Sequence, residues 1–256
     1  MLQEKTEHIN KATANESVIS IKNLYKSFGS NHVLSDFSLD VPKGQSIGVL
    51  GKSGSGKSVL IKCIIGLMPP DSGSIHVLGK NIPDLNNIEL DKMRVKVGFL
   101  FQSNALYDSM TVRENLEFPL RRHWMEKEKK NVDDLVMEAL EAVGLAHTVD
   151  MMPSELSGGM RKRISIARTL ILKPEIILYD EPTTGLDPIT GREISKLMVE
   201  VQKKYNTSSI IISHDLNCVK IAADSLVMLI DGKNYAEGTF EHLKQATDPR
   251  IKLFFE

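Results

Sequence analysis

The stretch Gly51-Lys52-Ser53-Gly54-Ser55-Gly56-Lys57-Ser58 constrains this chain more than any other. It follows a short apolar run at 45–50, of strand length, and precedes an apolar-periodic run over 57–68 that predicts a helix. Glycines spaced through eight residues let the backbone curl, because positions without a Cβ take left-handed torsions and let N–H groups converge without side-chain clashes. The curl ends where a helix begins, so the converging donors lie at the positive end of a helix dipole. Lys57 adds a cation and Ser58 a hydroxyl. Donors, dipole, cation and hydroxyl in this order make a cradle for phosphate oxygens, with Lys57 suited to the β- and γ-phosphates of a nucleotide and Ser58 to Mg²⁺. A chance match in a glycine-rich turn is the competing reading, and the strand–loop–helix context weighs against it.

The rest of the chain supports a sheet of that kind. Period-two alternation at 18–24 and 33–41 predicts two strands. The break Pro69-Pro70-Asp71-Ser72-Gly73 separates the first helix from a strand at 74–78, and a short buried strand is expected at 97–101. From 111 to about 172 the spacing of apolar residues turns helical. Strand character returns at 176–179, 209–212 and 226–230, separated by helices at 188–204 and 216–223. Alternating strands and helices at both ends predict an α/β core, and the helical middle reads as a subdomain inserted into it.

Composition removes several function classes. Charged residues make up 25% of the chain and the formal net charge is −1, so bulk electrostatics predict no nucleic-acid partner. Cys63 and Cys218 have no neighbouring Cys or His at metal-ligand spacing and read as buried thiols, consistent with a reducing compartment. Residues 1–16 are polar, lack the apolar stretch of a signal peptide and are expected to form a flexible N-terminal tail. No apolar run approaches the roughly 18 residues that suggest a transmembrane helix.

A second constellation completes the first. Residues 176–181, Ile-Ile-Leu-Tyr-Asp-Glu, form an apolar strand ending in two carboxylates. Asp180 at a strand tip beside a phosphate cradle is placed to hold Mg²⁺, and Glu181 to polarise an attacking water. An Asp-Glu pair after a strand is by itself more often the start of a solvated loop. The intact phosphate loop favours the catalytic reading.

Leu156-Ser157-Gly158-Gly159, followed by Met160-Arg161-Lys162-Arg163 and placed about twenty residues before the carboxylates, resembles the signature motif of ABC ATPases. Gln102 is similar to the Q-loop of that family, Gly185-Leu186-Asp187 to its D-loop, and His214 in Ser213-His214-Asp215 to its switch histidine. The resemblance covers about residues 18–247, with five motifs in order. It implies a P-loop NTPase cassette with a RecA-like core, an N-terminal antiparallel β subdomain and an inserted helical subdomain. The implied limits are 17–247 for the ATPase domain, about 103–172 for the helical subdomain and 248–256 for a C-terminal tail.

The resemblance also implies roles. Glu181, His214, Lys57 and Gln102 would be catalytic. Gly51, Ser53, Gly54, Ser55, Gly56, Lys57 and Ser58 would hold the phosphates of ATP, with Ser58, Gln102 and Asp180 around Mg²⁺. Phe28 would stack on adenine, with Tyr25 as a rival. Ser157, Gly158, Gly159 and Asp187 would meet the nucleotide held by a second copy of the chain, so that one chain carries half of each active site. His8, His32, His76, His123, His147 and His242 have no such context and read as ordinary histidines.

Non-transport members fit poorly. Only about 120 residues separate Lys57 from Asp180, without the long coiled coil of DNA-repair ATPases, and there is one phosphate loop where translation factors usually carry two. Lys57, Glu181 and His214 are all present, unlike a dead cassette. Within transporters, residues 101–107 and 111–121, Met160-Arg161-Lys162-Arg163, 152–155, Asp187-Pro188-Ile189-Thr190 and Asp248-Pro249-Arg250-Ile251 are similar to the Mla/Mce-type lipid-transport ATPases. That implies transmembrane permease subunits as partners, a lipid-binding Mce-type protein, and a peripheral place on the cytoplasmic face of the inner membrane. An amino-acid or other small-solute importer is the alternative. Residues 105–110 are the expected receiving groove for the permease. The charged segments 121–124 and 127–130 are weaker candidates for contact with lipid or permease.

Overall fold

The computed structural model describes residues 16–103, 105–123 and 132–256. The weaker contact candidates at 124 and 127–130, and nearly all of the expected N-terminal tail, lie outside them. Two sheets organise the described residues. The first is antiparallel, in the order β2 (Asn31–Pro42), β1 (Ser17–Phe28), β4 (Ser72–Val77) and β5 (Lys80–Asn81). The second runs β10 (Lys233–Gly238), β9 (Ser225–Ile230), β3 (Ser46–Leu50), β8 (Ser208–Ile212), β7 (Ile176–Asp180), β6 (Val97–Leu100). It is parallel from β9 to β6, with β10 antiparallel at the edge.

Strands β3, β7 and β8 read as continuous apolar runs because both faces of the parallel sheet are covered. Successive side chains of β7 divide between two cores. Ile176 and Leu178 pack on the side of the antiparallel sheet and α1 (Lys57–Ile64), and Ile177 and Tyr179 on the side of the remaining helices. Between β6 and β7 stand α3 (Val112–His123), α4 (Val132–Ala142) and α5 (Gly158–Leu170), after α2 (Asn87–Val95) has led into β6. The helices α6 (Pro188–Tyr205) and α7 (Leu216–Ala222) pack against each other, and the described chain closes with α8 (Phe240–Lys244) and α9 (Pro249–Lys252).

Several boundaries differ from the sequence reading. Helix α1 stops at Ile64 rather than Met68, because Gly66 turns left-handed (φ 66°) and the N–H groups of Leu67 and Met68 fold back onto the Lys62 carbonyl. Helix α2 was not read at all. A capping box announces it, with Asn86 accepting from the N–H groups of Ile88 and Glu89 while Glu89 accepts from the N–H of Asn86. Residues 248–256, expected as a tail, pack instead: α9 buries Ile251, and Phe255 meets Phe240 edge-on with ring centroids 5.4 Å apart.

Candidate functional site

The C-terminal ends of β3, β6, β7 and β8 lie along one edge of the parallel sheet, where α/β folds place their ligands. From β3 the chain enters the glycine-rich loop, and its neighbours fix where glycine must stand. A Cβ at Gly51 would come within 2.9 Å of the Leu229 carbonyl oxygen and 2.4 Å of Ser55 Oγ. Gly56, which caps α1, has φ 102°, and a Cβ there would meet Val33 at 2.7 Å. The side chain of Lys57 curls back over the loop and donates to the carbonyls of Gly51 (2.7 Å) and Lys52 (3.1 Å). Lys57 is 8% exposed. Burial lowers its pKa, and the charges of Glu181 and Asp180 pull the other way.

Asp180, at the tip of β7, titrates above the usual carboxylate range because it is buried and stands beside the charge of Glu181; the hydroxyl of Ser58, donating to it, opposes the shift. Glu181 sits in the left-handed region (φ 50°), its N–H donating to the Ile212 carbonyl at 2.8 Å. Its Oε2 accepts from Thr184 Oγ1 at 3.1 Å and lies 2.8 Å from His214 Nδ1. The histidine side chain is 68% exposed and the glutamate 13%. Gln102 follows β6 on the surface, and its backbone carbonyl accepts from Lys162 Nζ at 3.2 Å. Lys162 is almost wholly buried, which lowers its pKa to about 8 against the attraction of Asp180.

These residues share one cavity of about 730 Å³. Phe28, Ser53, Gly54, Gly56, Lys57, Ser58, Gln102, Asp180, Glu181 and His214 line it. Phe28 forms one end with its ring 47% exposed and the Lys26 ammonium 5.6 Å from the ring centroid; Tyr25 is not among the lining residues. Ser55 faces a second cavity, of about 390 Å³, on the other flank of the loop.

The cavity suits a nucleotide with a divalent cation. Lys57 supplies a cation, and Gly54 and Gly56 a left-handed backbone without side chains, where phosphate oxygens would lie; the buried, unpartnered Ser55 Oγ belongs to the flank of the second cavity. Ser58 and Asp180 form a hydroxyl–carboxylate pair, the hard oxygen donors that Mg²⁺ takes. Among the described residues no three His, Cys, Asp or Glu side chains cluster as a metal site. A cation held here would therefore draw most of its ligands from phosphate and water, as Mg²⁺ does.

The signature residues lie elsewhere. Ser157 caps α5, its Oγ accepting from the Met160 N–H at 3.2 Å, and Gly158 and Gly159 form the first turn. Asp187 caps α6, accepting from the N–H groups of Ile189 (3.0 Å) and Thr190 (3.1 Å) and from Thr190 Oγ1 (2.6 Å), and these bonds hold its carboxyl below the ordinary range. The two caps are neighbours, since a Cβ at Gly159 would stand 2.6 Å from Thr190 Cγ2. None of Ser157, Gly158, Gly159 and Asp187 lines the cavity. Lys162 and Thr184 are the contributors that sequence reasoning missed. Lys162 looks like one more charge in a basic run, and Thr184 like a turn residue.

Comparison with known proteins agrees with this geometry. Residues 34–184 match the family model described as ABC transporter. The chain is 40% identical over 236 residues to the probable ribonucleotide transport ATP-binding protein mkl of Mycobacterium leprae, covering 92% of this chain and 68% of that protein. It is 39% identical over 242 residues to the intermembrane phospholipid transport system ATP-binding protein MlaF of Haemophilus influenzae, covering 94% and 91%. It is 37% identical over 239 residues to the methionine import ATP-binding protein MetN of Clostridium tetani, covering 93% and 74%. Among solved structures, a dimeric ATP-binding cassette in a post-hydrolysis state bound to ADP and Pi superposes with a TM-score of 0.77 at 30% identity, covering 87% of this chain and 98% of that one.

Proposed function

The chain belongs to the ABC transporter family as an ATP-hydrolysing cassette, and from that premise we propose that it works as a homodimer sandwiching two Mg·ATP to power a membrane permease that moves phospholipid or a related lipid. The observation that carries the reading is the division of the motif residues. One cavity gathers Phe28, Lys57, Ser58, Asp180, Glu181 and His214, and the signature residues stand outside it at the start of α5, which supports a division of the site between two copies.

In this proposal Phe28 takes the adenine on its exposed face. The loop N–H groups and Lys57 hold the β- and γ-phosphates, whose negative charge favours the ammonium form of Lys57 against the effect of burial. Ser58, Asp180 and Gln102 would hold Mg²⁺, which when bound would neutralise charge on the phosphate oxygens. Glu181 accepts a proton from the attacking water, and His214, already beside its Oε2, orients that carboxylate. Ser157, Gly158 and Gly159 of a second copy complete the γ-phosphate site with the N-terminus of α5, and Asp187 stands at the same junction. Glu181→Gln keeps the shape of the site and removes the base. Hydrolysis should fall about 10²- to 10⁴-fold, and with Mg·ATP the variant should run as a dimer in sizing chromatography with light scattering. A strict monomer at saturating ATP would refute the shared site.

No helix among the described residues is long and apolar enough to cross a membrane. We place the chain peripherally, on the cytoplasmic face of the inner membrane, docked to transmembrane permease subunits. A groove of about 500 Å³ between the end of β6, Ala105, Leu106, Tyr107 and Arg168 of α5 is the receiving surface. Similarity to MlaF of Haemophilus influenzae, covering 94% of this chain and 91% of that protein, supports a lipid cargo and with it a lipid-binding Mce-type partner. Similarity to the methionine import protein supports the second reading, a small-solute importer. Co-purification decides between them. A permease carrying two copies of this chain should move labelled phospholipid between liposomes only with hydrolysable ATP, whereas a permease that moves an amino acid and leaves lipid untouched would establish the second reading.

A further inference from the structure

Lys162 stands in a basic run whose neighbours reach outward. Arg163 donates to Glu193 at 3.0 Å and to the Val143 carbonyl, and Arg161 approaches the Pro153 carbonyl. Lys162 instead points into the protein and is 1% exposed. Its ammonium donates to the backbone carbonyl of Gln102 at 3.2 Å, and its charge attracts the carboxylate of Asp180. The residue itself belongs to α5, the helix that Ser157 caps. One side chain thus joins two places that are far apart in sequence: the turn after β6 and the helix that starts at the signature.

Packing does not account for a charge in this position. A buried ammonium loses its hydration, and an apolar side chain of the same length would fill the space without that penalty. The hydrogen bond to Gln102 also fixes a backbone atom rather than a side chain, so it sets the path of the turn and with it the direction in which the Gln102 side chain leaves.

We infer that Lys162 is a positioning residue for ATP hydrolysis, a buried ammonium strut that ties the Gln102 turn to the helix bearing the signature. Gln102 changes its surroundings when nucleotide and cation arrive, and through Lys162 that change reaches the first turn of α5. The inference rests on the nucleotide-site reading above and adds to it a connection from one half of the site to the other within a single chain.

Two substitutions separate the possibilities. Lys162→Met keeps the length and removes both charge and donors, and Lys162→Gln returns a donor for the Gln102 carbonyl without the charge. Hydrogen exchange of the intact chain, with and without Mg·ATP, is followed at the phosphate loop, at 99–107 and at 156–162, alongside nucleotide affinity, steady-state kinetics and urea denaturation. In the unaltered chain nucleotide should protect all three segments. Lys162→Met should keep protection of the phosphate loop, an affinity within about twofold and undiminished resistance to urea. It should lose protection at 156–162, with kcat about tenfold lower at unchanged KM. Recovery in Lys162→Gln assigns the strut to the hydrogen bond, and behaviour like Lys162→Met assigns it to the charge; both support the inference. Full protection at 156–162 in Lys162→Met, or parallel loss of stability and nucleotide binding in both variants, overturns it. Failure of the unaltered chain to bind ATP would instead overturn the nucleotide-site reading, and the inference with it.

Discussion

Glycine stands at the start of both α1, where Gly56 is the cap, and α5, where Gly158 is the first residue, and the two starts differ in what demands it. At Gly51 and Gly56 the same chain requires the missing side chain, since a Cβ would strike the Leu229 carbonyl oxygen or Val33, and Gly56 also holds a left-handed torsion. At Gly158 nothing in the chain does. Its Cβ would meet only Leu186 Cδ2 at 3.7 Å, an ordinary contact. Glycine at that position gives up helix stability without relieving a clash. The first pair is explained by the chain's own fold. Gly158 has no such neighbour among the described residues, and the space there is open for the second copy's phosphate that the proposal requires.

The strongest way to break this comparison is to disable each half in a different chain. Lys57→Ala removes the phosphate cation, and Gly158→Asp sets a carboxylate where a phosphate should arrive. Each variant alone should be inactive. Mixed in equal amounts, half the dimers carry one site with both defects and one with neither, so activity should return to about a quarter of the unaltered rate. A mixture as dead as its parts would mean that Gly158 serves its own chain's cavity.

Nucleotide affinity sharpens the contrast at smaller scale. Measured with a fluorescent ATP analogue on monomeric protein, Lys57→Ala should lose about 1.5–3 kcal/mol of binding, the worth of a hydrogen bond to a charged group. Gly158→Asp should bind within twofold of the unaltered chain. Its own fold should be unharmed, because an aspartate in the first turn interacts favourably with the helix dipole, by about 0.3–1 kcal/mol.

The smallest effect is structural. Ser157→Ala removes the cap that accepts from the Met160 N–H and should cost about 1 kcal/mol in urea denaturation. Its loss of hydrolysis should exceed what that destabilisation explains. Equal proportions would reduce Ser157 to a cap.

What the sequence made legible follows from where local chemistry decides structure. The phosphate loop between its strand and helix and the apolar strand before Asp180 are local patterns of residue type, and each stands where the pattern requires. Helix α2 escaped because only Met93 of its nine residues is fully buried, leaving almost no apolar stripe to read. Strand β10 escaped for a related reason: Lys-Asn-Tyr-Ala-Glu-Gly lies at a sheet edge with no buried residue, and its pairing with β9 rather than its composition makes it a strand. The short C-terminal helix holds on through Ile251, one apolar residue among charges. Lys162 was the hardest to see. Lysine between two arginines reads as solvated surface, and the turn that receives it lies 60 residues earlier.

Glu181 occupies a backbone conformation that suits glycine or asparagine far better than glutamate, at a cost of order 1–3 kcal/mol. Stability and turnover therefore pull position 181 in opposite directions. A thermostability selection run without any demand for transport should drift there to glycine, yielding a sturdier protein that still takes up ATP and cannot spend it.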